Sequence, residues 1–187
     1  MVGLETQWVN FVLDADIFTL KTNNLHRQLM VHIERRLQQL GIVLPEAPQP
    51  LGNFAPYMIN RDDLHISGQV SAMPDGQIIQ GELGSEVSIS KGIEAARYCA
   101  TGILARAKSA IDDLDRIQKL VKLGVFINAD TDFTDHPKIA NGASDLMVEI
   151  FGAEKANHVR FAVGCASLPQ NATVEIEAIF RVCSENR

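Results

Sequence analysis

Hydrophobic residues recur along the chain with two spacings, one typical of helices and one typical of strands. The helical spacing is clearest at 88–111. Apolar side chains there recur on one stripe, with Ser88 or Ser90 as N-cap. The stripe comprises Ile89, Ile93, Ala96, Ala100, Ile103, Leu104, Ala107 and Ile111. Because several of these residues are small, the pattern predicts a helix that packs closely on a sheet.

Two further segments have helical spacing. Residues 26–40 are followed by Gly41, which suits the position after a helix C-terminus. A second segment starts near Pro137, a residue favoured in the first helical turn, and extends to about Ile150 before Gly152. Both segments are predicted helices.

Alternating apolar and polar residues predict the strands. In 121–127, Val121, Leu123, Val125 and Ile127 are expected on one side. Pro74-Asp75-Gly76 predicts a tight turn inside a hairpin, and the prolines of 45–56 predict an extended connector. Strands are predicted at 54–60, 64–71, 77–81, 116–127, 159–167 and 173–182.

The order of these elements predicts an α+β fold. A single mixed sheet has two helices on one face, and strands adjacent in sequence at both ends favour antiparallel hairpins. The other sheet face is expected to be covered, most simply by another subunit. Residues 1–29 lack a clear period, so we interpret them as an extension, or a misassigned start before Met30, and 30–187 as the domain.

Composition narrows the function classes. The formal net charge is −6 and no run of basic residues occurs, which argues against nucleic-acid binding. Cys99, Cys165 and Cys183 form no CxxC pair, so no disulfide framework is predicted. No signal peptide or membrane span is visible, so the cytoplasm is the expected compartment. The histidines show no metal-ligand spacing, so no metal site is predicted.

Charged residues within two predicted apolar strands are candidates for binding or catalysis. Arg160 could clamp a carboxylate through its planar fork, and Glu175 could position or activate a water. The alternative is that Arg160, Glu175 and Glu177 are outward-facing strand residues, or form a salt bridge. Spacing alone favours this alternative.

Several motifs, taken together, resemble one family. His65-Ile66-Ser67-Gly68-Gln69 resembles the "SGQ" strand of the Rid family of reactive intermediate deaminases, also called the YjgF family. The family signature of an arginine, Leu-Pro eight residues later and a "VEIEA" strand is similar to Arg160, Leu168-Pro169 and 174–178. The resemblance covers about 30–183 and is that of a divergent subgroup with a longer N-terminal helix.

The resemblance implies a fold and an activity. It implies a chorismate-mutase-like homotrimer with a barrel-like centre and active sites in clefts between subunits. The implied reaction is hydrolysis of reactive enamine or imine acids, such as 2-aminoacrylate, to a 2-keto acid and ammonia. No metal or organic cofactor is implied, and the partner is a small imino or keto acid rather than a nucleic acid or a membrane.

The resemblance also assigns site residues. Arg160 would bind the substrate carboxylate and Glu175 would orient the water. The substrate-binding residues would be Phe54, Ser67, Gly68, Asn141 and Phe161. Phe54 stands where the family often has tyrosine, and Phe161 where it often has serine, so Phe161 could exclude small imines or favour aromatic ones if its ring enters the cleft.

Two other functions remain open at this point. The same cleft could hold a small carboxylate without turnover, which Phe54 and Phe161 favour. A ribonuclease or translation inhibitor is the third hypothesis, and the acidic balance argues against it. Cys165 is interpreted as a buried apolar residue rather than a reactive thiol.

Overall fold

The computed structural model describes residues 33–47 and 52–183, which form three α-helices and one five-stranded sheet. The helices are α1 (Ile33–Gln39), α2 (Ile89–Ile111) and α3 (His136–Ala156). The strands are β1 (Tyr57–Asn60), β2 (Asp63–Val70), β3 (Ile117–Asn128), β4 (Val159–Cys165) and β5 (Val174–Val182). The predicted α+β class with a single mixed sheet is confirmed.

The strand order across the sheet is β1-β2-β5-β3-β4. The predicted hairpin of β1 and β2 is confirmed, since Asn60 pairs with Asp63 across a two-residue turn. The hairpin predicted from β4 and β5 is wrong, because β5 lies between β2 and β3 and is antiparallel to both. β4 instead pairs in parallel with β3, because α3 connects these two strands as a crossover.

The two long helices begin where their capping residues predict. The Ser88 hydroxyl accepts from the Lys91 N–H at 3.3 Å, and Pro137 lies in the first turn of α3. Gly152 leaves the helical conformation at φ 78°, as predicted, but one more turn follows, and α3 ends at Ala156. Of the predicted helix 26–40, residues 26–32 lie outside the described residues, as does the predicted domain boundary at 29/30.

The prediction of a strand at 77–81 is wrong. The predicted turn forms, with the Met73 N–H donating to the Gln77 carbonyl at 2.7 Å. Beyond it, Ile78 and Gln80 make only single bridges, to Ala72 and Ala172. The segment is therefore an irregular loop against the end of the sheet. Another predicted strand, 54–60, is shorter than expected and begins at Tyr57.

The core lies between the sheet and the helices α2 and α3. Leu64, Leu123, Ile176 and Phe180 are fully buried there. In β3 the predicted alternation is wrong at one position. Val121 was expected on the buried side of the strand, but a bulge between Leu120 and Lys122 places Leu120 in the core instead.

No helix within residues 33–47 and 52–183 is both long enough and apolar enough to cross a membrane.

Candidate functional site

The sheet has a second face, on which no described helix packs, and we call it the open face. Leu123, Val125 and Ile127 of β3 are fully buried against the helices, so Gly124 and Phe126 between them lie on the open face. Residues that pair across neighbouring strands have their side chains on the same face. The partners of Gly124 and Phe126 on β5 and β4 therefore also lie on the open face. The open face therefore includes Glu175, Glu177, Phe161 and Val163.

Glu175 lies over a glycine on this face. A Cβ added to Gly68 would overlap the Glu175 Oε1 and lie 2.9 Å from its Cδ. The carboxylate is half-buried and makes no hydrogen bond or ion pair with another described residue. Burial raises the pKa of Glu175. The structure thus brings together two residues predicted for the site and leaves the acid unpaired.

Ser67 connects this region to the loop that precedes β1. Its hydroxyl donates to the Ala55 carbonyl at 2.8 Å, and its N–H donates to the Pro56 carbonyl at 3.1 Å. Ser67 and Gly68 occupy a bulge, because the register shifts between Ile66 and Gln69. Phe54, at the start of the same loop, is 57% exposed. Ser67 therefore fixes the loop next to Phe54.

Phe161 is held in a cluster of aromatic and charged groups. Its ring meets Phe126 edge to face, with centroids 5.4 Å apart, and Lys122 Nζ lies 5.2 Å from its centroid. Lys122 also pairs with Glu177 Oε1 at 3.3 Å. A Cβ on Gly124 would lie 2.7 Å from the Glu177 Cγ and 2.8 Å from the Phe161 Cζ, so the cluster needs a glycine below it. Glu177 is thus paired, in contrast to Glu175.

Arg160 points away from the open face, toward α3. It is the partner of the buried Leu123, so its side chain lies on the helix side of the edge strand β4. Its Nη1 donates to Ser144 Oγ at 2.7 Å, and its Nη2 donates to Asn141 Oδ1 at 2.7 Å and to the Pro137 carbonyl at 3.2 Å. Three of the five N–H bonds of the guanidinium are thus used. The Nε–H and one Nη1–H make no hydrogen bond with the described residues.

The seven predicted residues therefore form two groups on opposite sides of the sheet. Glu175, Gly68 and Phe161 lie on the open face, with Ser67 and Phe54 beside them; Arg160 and Asn141 lie at the outer edge with α3. β3 separates β4 from β5. Within one chain, the arginine and the glutamate do not meet.

Two further residues near Arg160, Ser144 and His158, were not predicted from the sequence. Ser144 follows Asn141 by one helical turn, and His158, two positions before Arg160, lies 3.1 Å from the Ser144 Oγ through its Nε2. These spacings were visible in the sequence, but they gain meaning only once α3 is known to pack along β4.

The thiols of Cys99 and Cys165 are poor nucleophiles in this setting. Cys165 is half-buried rather than buried, and its Sγ donates to the Ile127 carbonyl at 3.3 Å. Burial raises the pKa of both Cys165 and Cys99. Within residues 33–47 and 52–183, no three His, Cys, Asp or Glu side chains are grouped to hold a metal ion.

Comparisons with known proteins agree with this architecture. The family model "YjgF/chorismate_mutase-like, putative endoribonuclease" matches residues 34–180. A crystal structure of the protein Atu1372 from Agrobacterium tumefaciens, of unknown function, is 37% identical with a TM-score of 0.74, over 81% of this chain and 94% of that one.

Two curated relatives extend the comparison. Protein TCP17 of Trypanosoma cruzi is 42% identical over 147 residues, 79% of this chain and 92% of its own length. A 2-iminobutanoate/2-iminopropanoate deaminase of Dermatophagoides farinae is 29% identical over 139 residues, 74% of this chain and 92% of its own length.

Proposed function

The chain belongs to the YjgF/chorismate mutase-like family, and on this premise we propose that it hydrolyses reactive enamine or imine acids of the 2-aminoacrylate type. The products are a 2-keto acid and ammonia. The deaminase of Dermatophagoides farinae supports this reaction class. The reaction takes water as its only co-substrate and needs no cofactor. The cytoplasm remains the expected compartment.

The observation that carries the proposal is the unpaired, half-buried carboxylate of Glu175 beside Gly68. A water held by this carboxylate adds through its oxygen to the imine carbon, and its proton passes to Glu175. Glu175 gives this proton to the nitrogen, so that one carbon carries a hydroxyl and an amino group. A second proton then passes from the hydroxyl through Glu175 to the nitrogen. The carbonyl of the 2-keto acid forms as the carbon–nitrogen bond breaks and ammonia leaves. Because burial raises the pKa of Glu175, the group is suited to giving the proton back as well as taking it.

Arg160 supplies the second function, which is capture of the substrate carboxylate. Ser144, Asn141 and Pro137 take three of its N–H groups, which leaves the Nε–H and one Nη1–H as donors for the substrate carboxylate. Asn141 keeps the guanidinium plane in place and lies beside the bound acid. Carboxylate capture and water positioning together supply the rate, because the barrier to imine hydrolysis is low.

The site is completed by a second subunit. Arg160 and Glu175 lie on opposite sides of one sheet, so the Arg160 of one subunit meets the Glu175, Ser67 and Gly68 of the next. A closed ring of three such head-to-tail contacts gives a homotrimer with three sites. The open face is suited to burial in this contact, since Met58, Val159 and Val163 on it are 62%, 69% and 44% exposed.

Phe161 and Phe54 contact the substrate side chain. Phe161 lies on the same face as Glu175 and is fixed by Phe126 and Lys122. An apolar wall in this position favours imines with larger apolar side chains over the smallest ones.

A second candidate is a carboxylate-binding protein without turnover. It is favoured by Phe54 and Phe161, because neither side chain has a hydroxyl that could take part in the addition of water, whereas both rings can contact an apolar side chain of a ligand. This candidate predicts a rise in melting temperature with 2-keto acids and no release of ammonia.

The proposal is tested with imines made in situ. An amino-acid oxidase generates 2-imino acids with small and aromatic side chains, and imine loss is followed with and without the protein. We expect acceleration, greatest for larger apolar side chains. In Arg160→Ala and in Glu175→Gln it should fall by at least about 100-fold.

The control is Arg35→Ala, which removes an exposed arginine of α1. Its rate should equal that of the wild type. If no imine is consumed faster by the wild type while 2-keto acids still raise its melting temperature, the binding protein replaces the deaminase.

A further inference from the structure

Arg160 is the first member of a hydrogen-bonded series that ends at the backbone. Its Nη1 donates to Ser144 Oγ at 2.7 Å. The same oxygen lies 3.1 Å from His158 Nε2, and His158 Nδ1 lies 2.6 Å from the Ala156 carbonyl oxygen. The series therefore joins an arginine of β4 to a serine of α3, to a histidine in the connection between α3 and β4, and to the last carbonyl of α3.

Only one arrangement of protons satisfies the whole series with a neutral imidazole. The Ala156 carbonyl can only accept, so His158 Nδ1 carries the hydrogen. His158 Nε2 then has a lone pair and accepts the Ser144 hydroxyl hydrogen. A lone pair of Ser144 is thereby turned toward Arg160, which can only donate. His158 thus fixes the direction of the Ser144 hydroxyl hydrogen, while the Ser144 oxygen accepts from the guanidinium.

The fold places these residues in two matched pairs. Asn141 and Ser144 are one turn apart on α3, and both accept from Arg160. His158 lies immediately before β4, and Arg160 is the second residue of that strand; both side chains reach Ser144 of α3. With the Pro137 carbonyl as the third acceptor, the guanidinium is held on Nη1 and Nη2.

We propose that Ser144 and His158 are positioning residues for Arg160. They restrict rotation of the guanidinium, so that its Nε–H and second Nη1–H keep a fixed direction. Binding of a substrate carboxylate to either of these N–H groups rests on the proposed function.

Rotation of the guanidinium is measured directly by ¹⁵N NMR on the full-length protein. The Arg160 side-chain signals are assigned by their loss in Arg160→Lys. Three acceptors should make rotation about Nε–Cζ slow in the wild type. In Ser144→Ala and in His158→Leu we expect rotation faster by at least about tenfold, because fixed hydrogen-bond partners are removed.

Two variants serve as controls. His158→Gln offers an amide oxygen to the Ser144 hydroxyl, so slow rotation should return. Ser109→Ala removes a helix serine of α2 whose hydroxyl donates to the Arg106 carbonyl at 2.8 Å, and it should behave as the wild type. Unchanged rotation in a folded Ser144→Ala protein would overturn the proposal.

Kinetics separate this proposal from the proposed function. Arg160 binds the carboxylate equally in the ground and transition states, so Ser144→Ala should raise KM by about tenfold and change kcat by less than about twofold. If the wild type has no deaminase activity, the proposed function fails and the rotation rates alone decide about positioning. If rotation becomes faster while KM stays unchanged, the link to substrate binding is wrong.

Discussion

The two faces of the sheet differ in what their side chains do. On the helix side, Leu64, Leu123 and Ile176 are fully buried and apolar. On the open face, Glu175 and Phe161 are half-exposed, and one of them is a charged group without a partner among the described residues. The first face explains why the chain folds, because it removes apolar surface from water. The second has chemistry that folding alone does not require.

Glycines show the same contrast. A Cβ on Gly142 would overlap the carbonyl oxygen of Ile93, so this glycine lets α2 and α3 approach each other. On the open face, a Cβ on Gly68 or Gly124 would instead meet a glutamate side chain. One glycine permits packing of the core, whereas the other two leave room for carboxylates.

The largest effect should come from one phenylalanine on the helix side. Phe180 is fully buried and packs near Phe151. Phe180→Ala should lower the free energy of unfolding by about 3–5 kcal/mol, because it leaves a cavity in the core. Phe126→Ala on the open face should cost about 1 kcal/mol, since mainly the edge contact with Phe161 is lost. Urea unfolding at one fixed protein concentration measures both, and equal losses would contradict the division into two faces.

The second effect concerns the space under Glu175. Gly68→Ala should move the carboxylate and lower imine hydrolysis roughly 100-fold, with the free energy of unfolding changed much less. Gly102→Ala in α2 is the matched control, because its new methyl group would lie 3.5 Å from the Gln69 Cβ, an ordinary contact. Full activity in Gly68→Ala would show that the placement of Glu175 above this glycine is irrelevant to turnover.

The smallest effect is a pH-dependent one at Glu175. Burial raises its pKa in the folded chain, so the folded state binds the proton more tightly than the unfolded state. The free energy of unfolding therefore falls as the pH rises through the carboxyl range. Glu175→Gln removes the free-energy cost of burying an ionised carboxylate and should stabilise the protein at pH 7. The gain should be at most about 1 kcal/mol, because the group is half-exposed, and it should vanish below a pH of about 4.

Glu177→Gln provides the comparison for that measurement. Glu177 is paired with Lys122, so neutralising it removes an ion pair and should give no gain at pH 7. A loss of stability in Glu175→Gln at neutral pH would mean that Glu175 has a stabilising partner.

Local patterns predicted most of the elements. Ser88, the stripe of α2 and Gly152 were sufficient to locate the two long helices. The errors concern pairing between distant segments, which local periodicity does not specify. Residues 77–81 have a strand-like pattern but make only isolated bridges within the described part of the chain. β5 pairs with β2 and β3 rather than with β4, its neighbour in sequence.

The site was predictable only in part, for the same reason. The motif around Arg160 and Glu175 identifies two residues suited to carboxylate binding and water activation. Which face each occupies depends on the register with β3, where Arg160 pairs with Leu123 and Glu175 with Phe126. Ser144 and His158 come close to Arg160 because α3 packs on β4. This packing cannot be predicted from the local pattern of either segment.

The central claim, that a site forms from groups on opposite faces of two neighbouring subunits, is tested most directly by mixing two inactive variants. Arg160→Ala and Glu175→Gln, each with its own affinity tag, are co-expressed, and oligomers that retain both tags are isolated. In a head-to-tail trimer of mixed composition, one contact of the three joins an intact Arg160 to an intact Glu175, so about one third of the wild-type activity should return.

The control is the same purification with Arg160→Ala bearing both tags, which should stay inactive. If the mixed oligomers are as inactive as each variant alone while the wild type hydrolyses imines, the two residues do not act together across a subunit contact, and the account is wrong.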